Sequence, residues 1–229
     1  MPDTVAAKAL DTHRRLLDYY GEPTLKERRD PLSELVVTIL SQNTADVNTA
    51  RAYRSLRERF GSWEEVLAAP VEALEGAIRV AGLANTKAPR IHRILEDLHA
   101  ERGSLDLGFL NAMSTEEARD YLTALHGVGA KTAACVLLFA LHKPALPVDT
   151  HVHRVSLRVG LVPPRTPPAR AEELLEAMLP PETYYPFHLN VIRHGRTLCT
   201  AARPRCSECP LLPMCNYAAA AGIASLNGT

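Results

Sequence analysis

Apolar residues recur along this chain at intervals of three and four, the period of one face of an α-helix. In "PLSELVVTIL", Leu32, Leu35, Val36 and Ile39 share a face, and the same period runs through "SWEEVLAAPVEALEGAIRV", "APRIHRILEDLHA", "TAACVLLFAL" and "PARAEELLEAML". No two stretches alternate in the manner of paired strands. Ser62 with Glu65, and Ser114 with Glu117, carry the spacing of a helix N-cap and its third residue, and proline or glycine stands at most joints. The pattern predicts an all-α protein. Its richest proline stretch, "GLVPPRTPPAR" from Gly160 to Arg170, reads as a stiff loop between helices of one domain. A weak internal repeat is also present: "VAGLANTKAPRIHRIL" (Val80 to Leu95) and "LHGVGAKTAACVLL" (Leu125 to Leu138) each run from a glycine-containing turn through a lysine into an apolar helix. Both read as helical hairpins.

Composition narrows this picture only in places. A chain of 229 residues can bury one large core or two modest ones. No apolar run approaches a membrane span, and "MPDTVAAKALDTHRR" lacks the apolar core of a signal peptide, so a soluble, cytoplasmic protein with no membrane partner is expected. Twenty-six Lys and Arg balance 26 Asp and Glu, so the whole chain has no basic field and any surface for nucleic acid must be local. Five cysteines are an odd number, and four of them lie in the last thirty-one residues, which suits metal binding in a reducing compartment better than a disulfide framework.

The turn in "LHGVGAKTAA" draws attention first. Gly127 and Gly129 are expected to take positive φ and let the backbone approach a partner closely, while the helix beginning near Ala130 leaves its first N–H groups unpaired. Such a turn suits a phosphate. A nucleotide P-loop would need four residues between its glycines, a lysine directly after the second and a preceding strand, none of which is present. Eighteen residues after Lys131, within "PVDTHVHRV", Asp149 is placed to cap a helix whose face is Val148, Val152, Val155 and Val159. A capped carboxylate is a rigid charge, and with a lysine delivered from another segment it becomes a candidate acid–base pair. His151 and His153, two apart on a helix, point to nearly opposite faces and read as structural or surface residues.

"CTAARPRCSECPLLPMC" places Cys199, Cys206, Cys209 and Cys215 within seventeen residues at the spacing C-x6-C-x2-C-x5-C. Four thiolates so close can surround one metal centre, and the residues alone leave zinc and a [4Fe-4S] cluster both open. Arg203 and Arg205 sit in the first loop, and from His188 to Tyr217 four arginines face one acid, Glu208. That is a local basic patch. Cys135, on an apolar helix, reads as a small buried hydrophobe.

Together "LHGVGAKTAACVLLFAL", "PVDTHVHRV" and the cysteine tail resemble the endonuclease III family of helix-hairpin-helix DNA glycosylases, over nearly the whole chain from "PLSELVVTILSQNTADVN" to Cys215. The resemblance implies a [4Fe-4S] cluster on the four cysteines. It implies two helical domains: a six-helix barrel over residues 23–143, with the hairpin near 120–137, and a discontinuous cluster domain over 1–22 and 144–229, with DNA in the groove between. It implies base excision repair of oxidised pyrimidines by a bifunctional N-glycosylase and AP (abasic-site) lyase, acting as a monomer on duplex DNA carrying damaged pyrimidines or abasic sites, in a bacterial cytoplasm at the nucleoid. Lys131 matches the family's nucleophile, which forms a Schiff base and permits β-elimination, and Asp149 matches its catalytic aspartate. Gln42, Asn43 and Leu83 match loops that fill the gap left by a flipped base, and Leu125, His126, Gly127, Val128, Gly129, Arg203 and Arg205 are the other expected DNA contacts. Two positions depart from the pattern: His126 stands where the family usually has proline, and Asn43 where better-known members have glutamine. The adenine mismatch glycosylases are a related branch, but they carry a catalytic glutamate where this chain has Val37, and they lack the lysine. A non-catalytic DNA-binding paralogue is the reading from another class.

Overall fold

The computed structural model describes residues 2–24 and 29–223, which form helices and turns with no strand among them. The chain enters on α1 (Pro2–Tyr20). It then builds α2 (Pro31–Ser41), α3 (Asp46–Arg59), α4 (Trp63–Ala68), α5 (Val71–Ile78), α6 (Ala84–Arg102), α7 (Thr115–Ala124) and α8 (Ala130–Phe139), and finishes on α9 (Thr150–Val159), α10 (Pro168–Met178), α11 (Tyr184–Thr197) and α12 (Asn216–Ala220). Two compact units result, one of Glu27–Lys143 and one of Met1–Lys26 with Pro144–Thr229. Among the described residues no helix is long and apolar enough to cross a membrane.

In the first of these units α2 is the central helix. Asp30 caps it by accepting from Ser33 N at 2.9 Å, and Pro31 takes the first helical position, where a missing N–H loses nothing. Leu32, Leu35, Val36, Ile39 and Leu40 are all at most 1% exposed, each burial worth roughly 1.5–3 kcal/mol. Its polar residues Ser33, Glu34 and Thr38 are buried too, because α2 packs on α3, α6 and α8 at once. Arg29 answers Glu34 with a hydrogen bond of 3.1 Å. The single periodic run from Ser62 to Val80 is broken at Pro70, since the residue before a proline disfavours the α region; Ala69 is extended and α4 ends there. Ser114 and Glu117 form a full capping box at α7, whereas at α4 Ser62 accepts from Glu65 N but the Glu65 carboxylate turns to Gly61 N.

The second unit packs α11 against α1 and α9, with α10 and α12 completing it. Gly195 permits the α9–α11 approach: a Cβ there would stand 2.9 Å from the His151 Cβ. Phe187, Leu16, Val152, Val155 and Val191 fill the interior.

Candidate functional site

The hairpin joins α7 to α8 through Leu125–Gly129. Gly127 has φ +72° and Gly129 has φ −96°, so the turn needs a left-handed residue once, not twice as the glycine pattern suggests; Gly129 is the extended N-cap of α8. A side chain at Gly127 would also meet Arg90, whose Nε lies 2.8 Å from the ideal Cβ position. The intrahelical bonds of α8 begin with Thr132 and Ala133 donating to Gly129 O, which leaves the N–H groups of Ala130 and Lys131 ahead of the ladder. His126, Gly127 and Gly129 are exposed, while Leu125 and Val128 are buried at 7% and 5% exposure. Those two side chains anchor the turn to the core, so only their backbone is available to a ligand. Lys131 is half-buried on the first turn of α8, ahead of the buried face that includes Thr132, Ala133 and Cys135.

Two further loops belong to the same unit. Gln42 closes α2 as its C-cap and is half-buried. Arg90 Nη1 donates to Gln42 Oε1 at 2.8 Å, and Gln42 Nε2 faces Thr132 Oγ1 at 3.5 Å. Because a guanidinium only donates, this contact fixes which way the carboxamide points. Asn43 next to it is exposed, with φ +53°. In the other loop Leu83 is 55% exposed with φ +50° and ψ +33°. The left-handed region costs a leucine about 1–2 kcal/mol, and the side chain recovers none of it by burial. Strain of this kind at an exposed residue points to function. Gln42 and Asn43 are neighbours in sequence with the same expected role, but in the structure Gln42 is held inward and Asn43 is exposed. No local pattern marks Arg90 and Thr132. Val37, half-buried on α2, offers no acid.

In the other unit, Asp149 caps α9: its Oδ1 accepts from His151 N and Val152 N, both at 2.8 Å, which leaves Oδ2 outside the cap. The approach to this cap is held as well. Glu176 Oε1 accepts from Leu146 N at 2.8 Å, and the buried His188 ring bonds Pro147 O through Nδ1 at 2.8 Å. His151 pairs with Arg154 and His153 with Thr166 O, so neither is directed to a common ion.

Cys199, Cys206, Cys209 and Cys215 line one recess, together with Arg158, Leu198, Pro204, Arg205, Leu212, Tyr217 and Ala218. They surround it rather than meeting at a point: among the described residues no three His, Cys, Asp or Glu side chains stand close enough to hold a single ion. Arg158 Nη1 donates to Cys199 Sγ at 3.4 Å and stacks over Tyr217. His194 Nε2 lies 3.5 Å from Cys209 Sγ. Burial pushes the Cys209 thiol up to about 12, and repulsion from Cys199, Cys215 and Cys206 adds to it; Cys206 is raised for the same reasons. Four cysteine sulfurs around one recess, with Arg158 against Cys199 and His194 against Cys209, have the chemistry of a thiolate-held metal group. Arg203 and Arg205 are exposed, but Arg205 is engaged with Glu208 at 3.2 Å and with Thr197 O. Cys135 is buried in the other unit, 4% exposed.

Comparison with known proteins draws these features together. Residues 36–181 match the family of HhH-GPD superfamily base excision DNA repair proteins. The chain is 36% identical over 195 residues to endonuclease III of Thermotoga maritima, covering 85% of this chain and 87% of that one. It is 34% identical over 186 residues to endonuclease III of Bacillus subtilis, covering 81% of each. Its fold matches that of a solved trapped endonuclease III–DNA covalent intermediate, with a TM-score of 0.79 at 27% identity, over 97% of this chain and 99% of that one. A hairpin with exposed backbone donors, a lysine on the helix that follows, a capped aspartate and a four-cysteine recess thus lie on one helical chain, which belongs to the HhH-GPD superfamily of base excision DNA repair proteins as an endonuclease III-like DNA glycosylase.

Proposed function

We propose that this protein removes oxidised pyrimidines from duplex DNA and cleaves the resulting abasic site, with Lys131 as nucleophile and Asp149 as catalytic aspartate. The observation that carries the proposal is the placement of Lys131, half-exposed on the first turn of α8 directly after the hairpin's exposed backbone donors. A phosphate held by those N–H groups would fix the register of the duplex without reading its sequence. Lys131 Nζ then attacks C1′ of a nucleotide turned out of the helix; the C1′–N bond breaks, and the base leaves with the electron pair and takes up a proton. Opening of the sugar ring gives a Schiff base between Nζ and C1′. Loss of a C2′ proton then expels the 3′ phosphate by β-elimination. Oδ2 of Asp149, the oxygen its cap leaves over, is the one we assign to the positive charge that develops on the sugar. The resemblance to a trapped endonuclease III–DNA covalent intermediate supports a covalent route.

We assign the four cysteines to a [4Fe-4S] cluster, which Cys199, Cys206, Cys209 and Cys215 would hold; four sulfurs lining one recess suit such a group. When bound, such a cluster would cross-link Cys199 and Cys206, the two cysteines that bracket the loop carrying Arg203 and Arg205. Adenine mismatch excision is disfavoured because Val37 cannot protonate a leaving purine.

The test is borohydride trapping on duplexes carrying thymine glycol or an abasic site. A covalent adduct is expected with the native chain and none with Lys131→Ala. An adduct that survives Lys131→Ala overturns the assignment. Tight binding with neither excision nor an adduct in the native chain would show the non-catalytic paralogue instead.

A further inference from the structure

The internal repeat holds two lysines, and the proposed chemistry uses only Lys131. Lys87, from the first copy, is 2% exposed on the first turns of α6. Its Nζ donates to Leu40 O at 2.8 Å, to Thr44 Oγ1 at 2.7 Å and to Ala81 O at 2.9 Å. An ammonium has three protons, and each has an acceptor. None of the three partners is a carboxylate, so the charge is satisfied entirely by neutral dipoles. Burial pulls the Lys87 pKa down, with Arg90 adding to it.

The three acceptors lie at two separate places, the end of α2 with the loop that follows it, and the turn after α5. Leu40 O is one of the last carbonyls of α2, and Thr44 lies just past that helix end, whereas Ala81 O closes the short turn after α5. Thr44 Oγ1 also donates to Ala81 O, so the loops are stitched directly as well as through the ammonium. Each loop presents one exposed non-glycine residue in the left-handed region, Asn43 at φ +53° and Leu83 at φ +50°. Neither side chain is buried, so the surrounding backbone must hold both conformations.

From this we infer that Lys87 is a positioning residue: it locks the two loops into one rigid frame that fixes Asn43 and Leu83 as paired prongs, an amide and an apolar wedge, for holding open the gap left by an extruded base. The inference rests on the DNA glycosylase reading above. Filling such a gap matters most when a stacked, paired base must be drawn out, and least when the nucleotide has no base.

The experiment compares two single-turnover reactions of this chain, base removal from a paired thymine glycol and strand cleavage at a preformed abasic site. Lys87→Met keeps the aliphatic stem and removes all three hydrogen bonds. Thr44→Val removes one acceptor and the stitch to Ala81 while leaving the lysine in place. We expect Lys87→Met to slow base removal about tenfold more than abasic cleavage, roughly 1.4 kcal/mol of differential barrier. Thr44→Val should shift the same ratio in the same direction by a smaller factor. A fall of equal size in both reactions would reduce Lys87 to a purely structural role and overturn the inference, and so would no change in either. If Lys87→Met does not fold, the ratio in Thr44→Val decides by the same criterion. A native chain inactive in both reactions would instead remove the glycosylase reading, so the two failures are separable.

Discussion

The stem of Arg90 lies across Gly127, and its guanidinium bonds Gln42 at 2.8 Å, so one side chain joins the hairpin turn to the end of α2. Gly127 is thereby required twice, by its φ of +72° and by the absence of room for a Cβ. Gly127→Ala is expected to destabilise the protein by about 2 kcal/mol, combining left-handed strain with overpacking. Chemical denaturation would read this as a lowered midpoint. Adding Arg90→Ala to Gly127→Ala should recover the overpacking part, so the two substitutions should be non-additive. Strict additivity would mean that the Arg90 stem yields freely to a new methyl group.

The five cysteines are expected to divide four to one. Cys199, Cys206, Cys209 and Cys215 line the recess, while Cys135 is buried on α8 in the other unit. The purified protein should be yellow-brown with iron and sulfide bound, and Cys135→Ala should retain both. Cys209→Ala should lose them and lower thermal stability, because the binding energy of the proposed cluster would be folding energy for the loop that carries it. Visible absorption and iron analysis check this, and a colourless, zinc-loaded native protein would overturn the cluster assignment.

Much of this arrangement was legible in the sequence wherever the determining interactions are local. Periodicity marked α2, α6, α8 and α10, and Asp149 announced its cap because an N-cap bonds residues two and three further on. The cysteine spacing is likewise a property of one short segment. What could not be read depends on residues distant in the chain. Lys87 and Lys131 occupy similar places in two similar stretches, yet one is sealed against carbonyls 47 and 6 residues away and the other is half-exposed. Arg90 carries no local signature at all. Their place in the hairpin motif puts Leu125 and Val128 among the expected DNA contacts, whereas the packing of α7 on α8 turns both side chains inward.

Stability should decline in mild acid through His13. This residue is buried on α1, its ring 6.4 Å from that of Phe187, and its Nδ1 has no partner among the described residues. Burial pulls its pKa below the ordinary 6.5, Glu22 opposes that shift and Arg14 adds to it. The folded state therefore keeps the imidazole neutral at a pH where the unfolded chain already binds a proton. Its contribution is fully present above pH 6.5 and is lost as pH falls from there through the lowered folded value. Denaturation midpoints measured through this range should fall less steeply for His13→Leu than for the native chain. Parallel curves would assign the acid sensitivity elsewhere.

Asp149 caps α9, and substitution can separate that role from the catalytic one proposed for it. As a cap it needs only an acceptor oxygen for His151 N and Val152 N; as a catalytic partner it needs a charge on Oδ2. Asparagine supplies the acceptor without the charge, and alanine supplies neither. Replacing a capping aspartate by alanine costs about 1 kcal/mol, while asparagine caps about as well as aspartate. Asp149→Asn should therefore melt close to the native protein, and Asp149→Ala should melt several degrees lower. Base removal should collapse in both, because both lose the carboxylate assigned to the developing sugar cation. Cleavage at a preformed abasic site should suffer less, since no glycosidic bond remains to be broken there. If Asp149→Asn kept native excision rates, the carboxylate would be a helix cap alone, and the positive charge on the sugar would have to be met by another group.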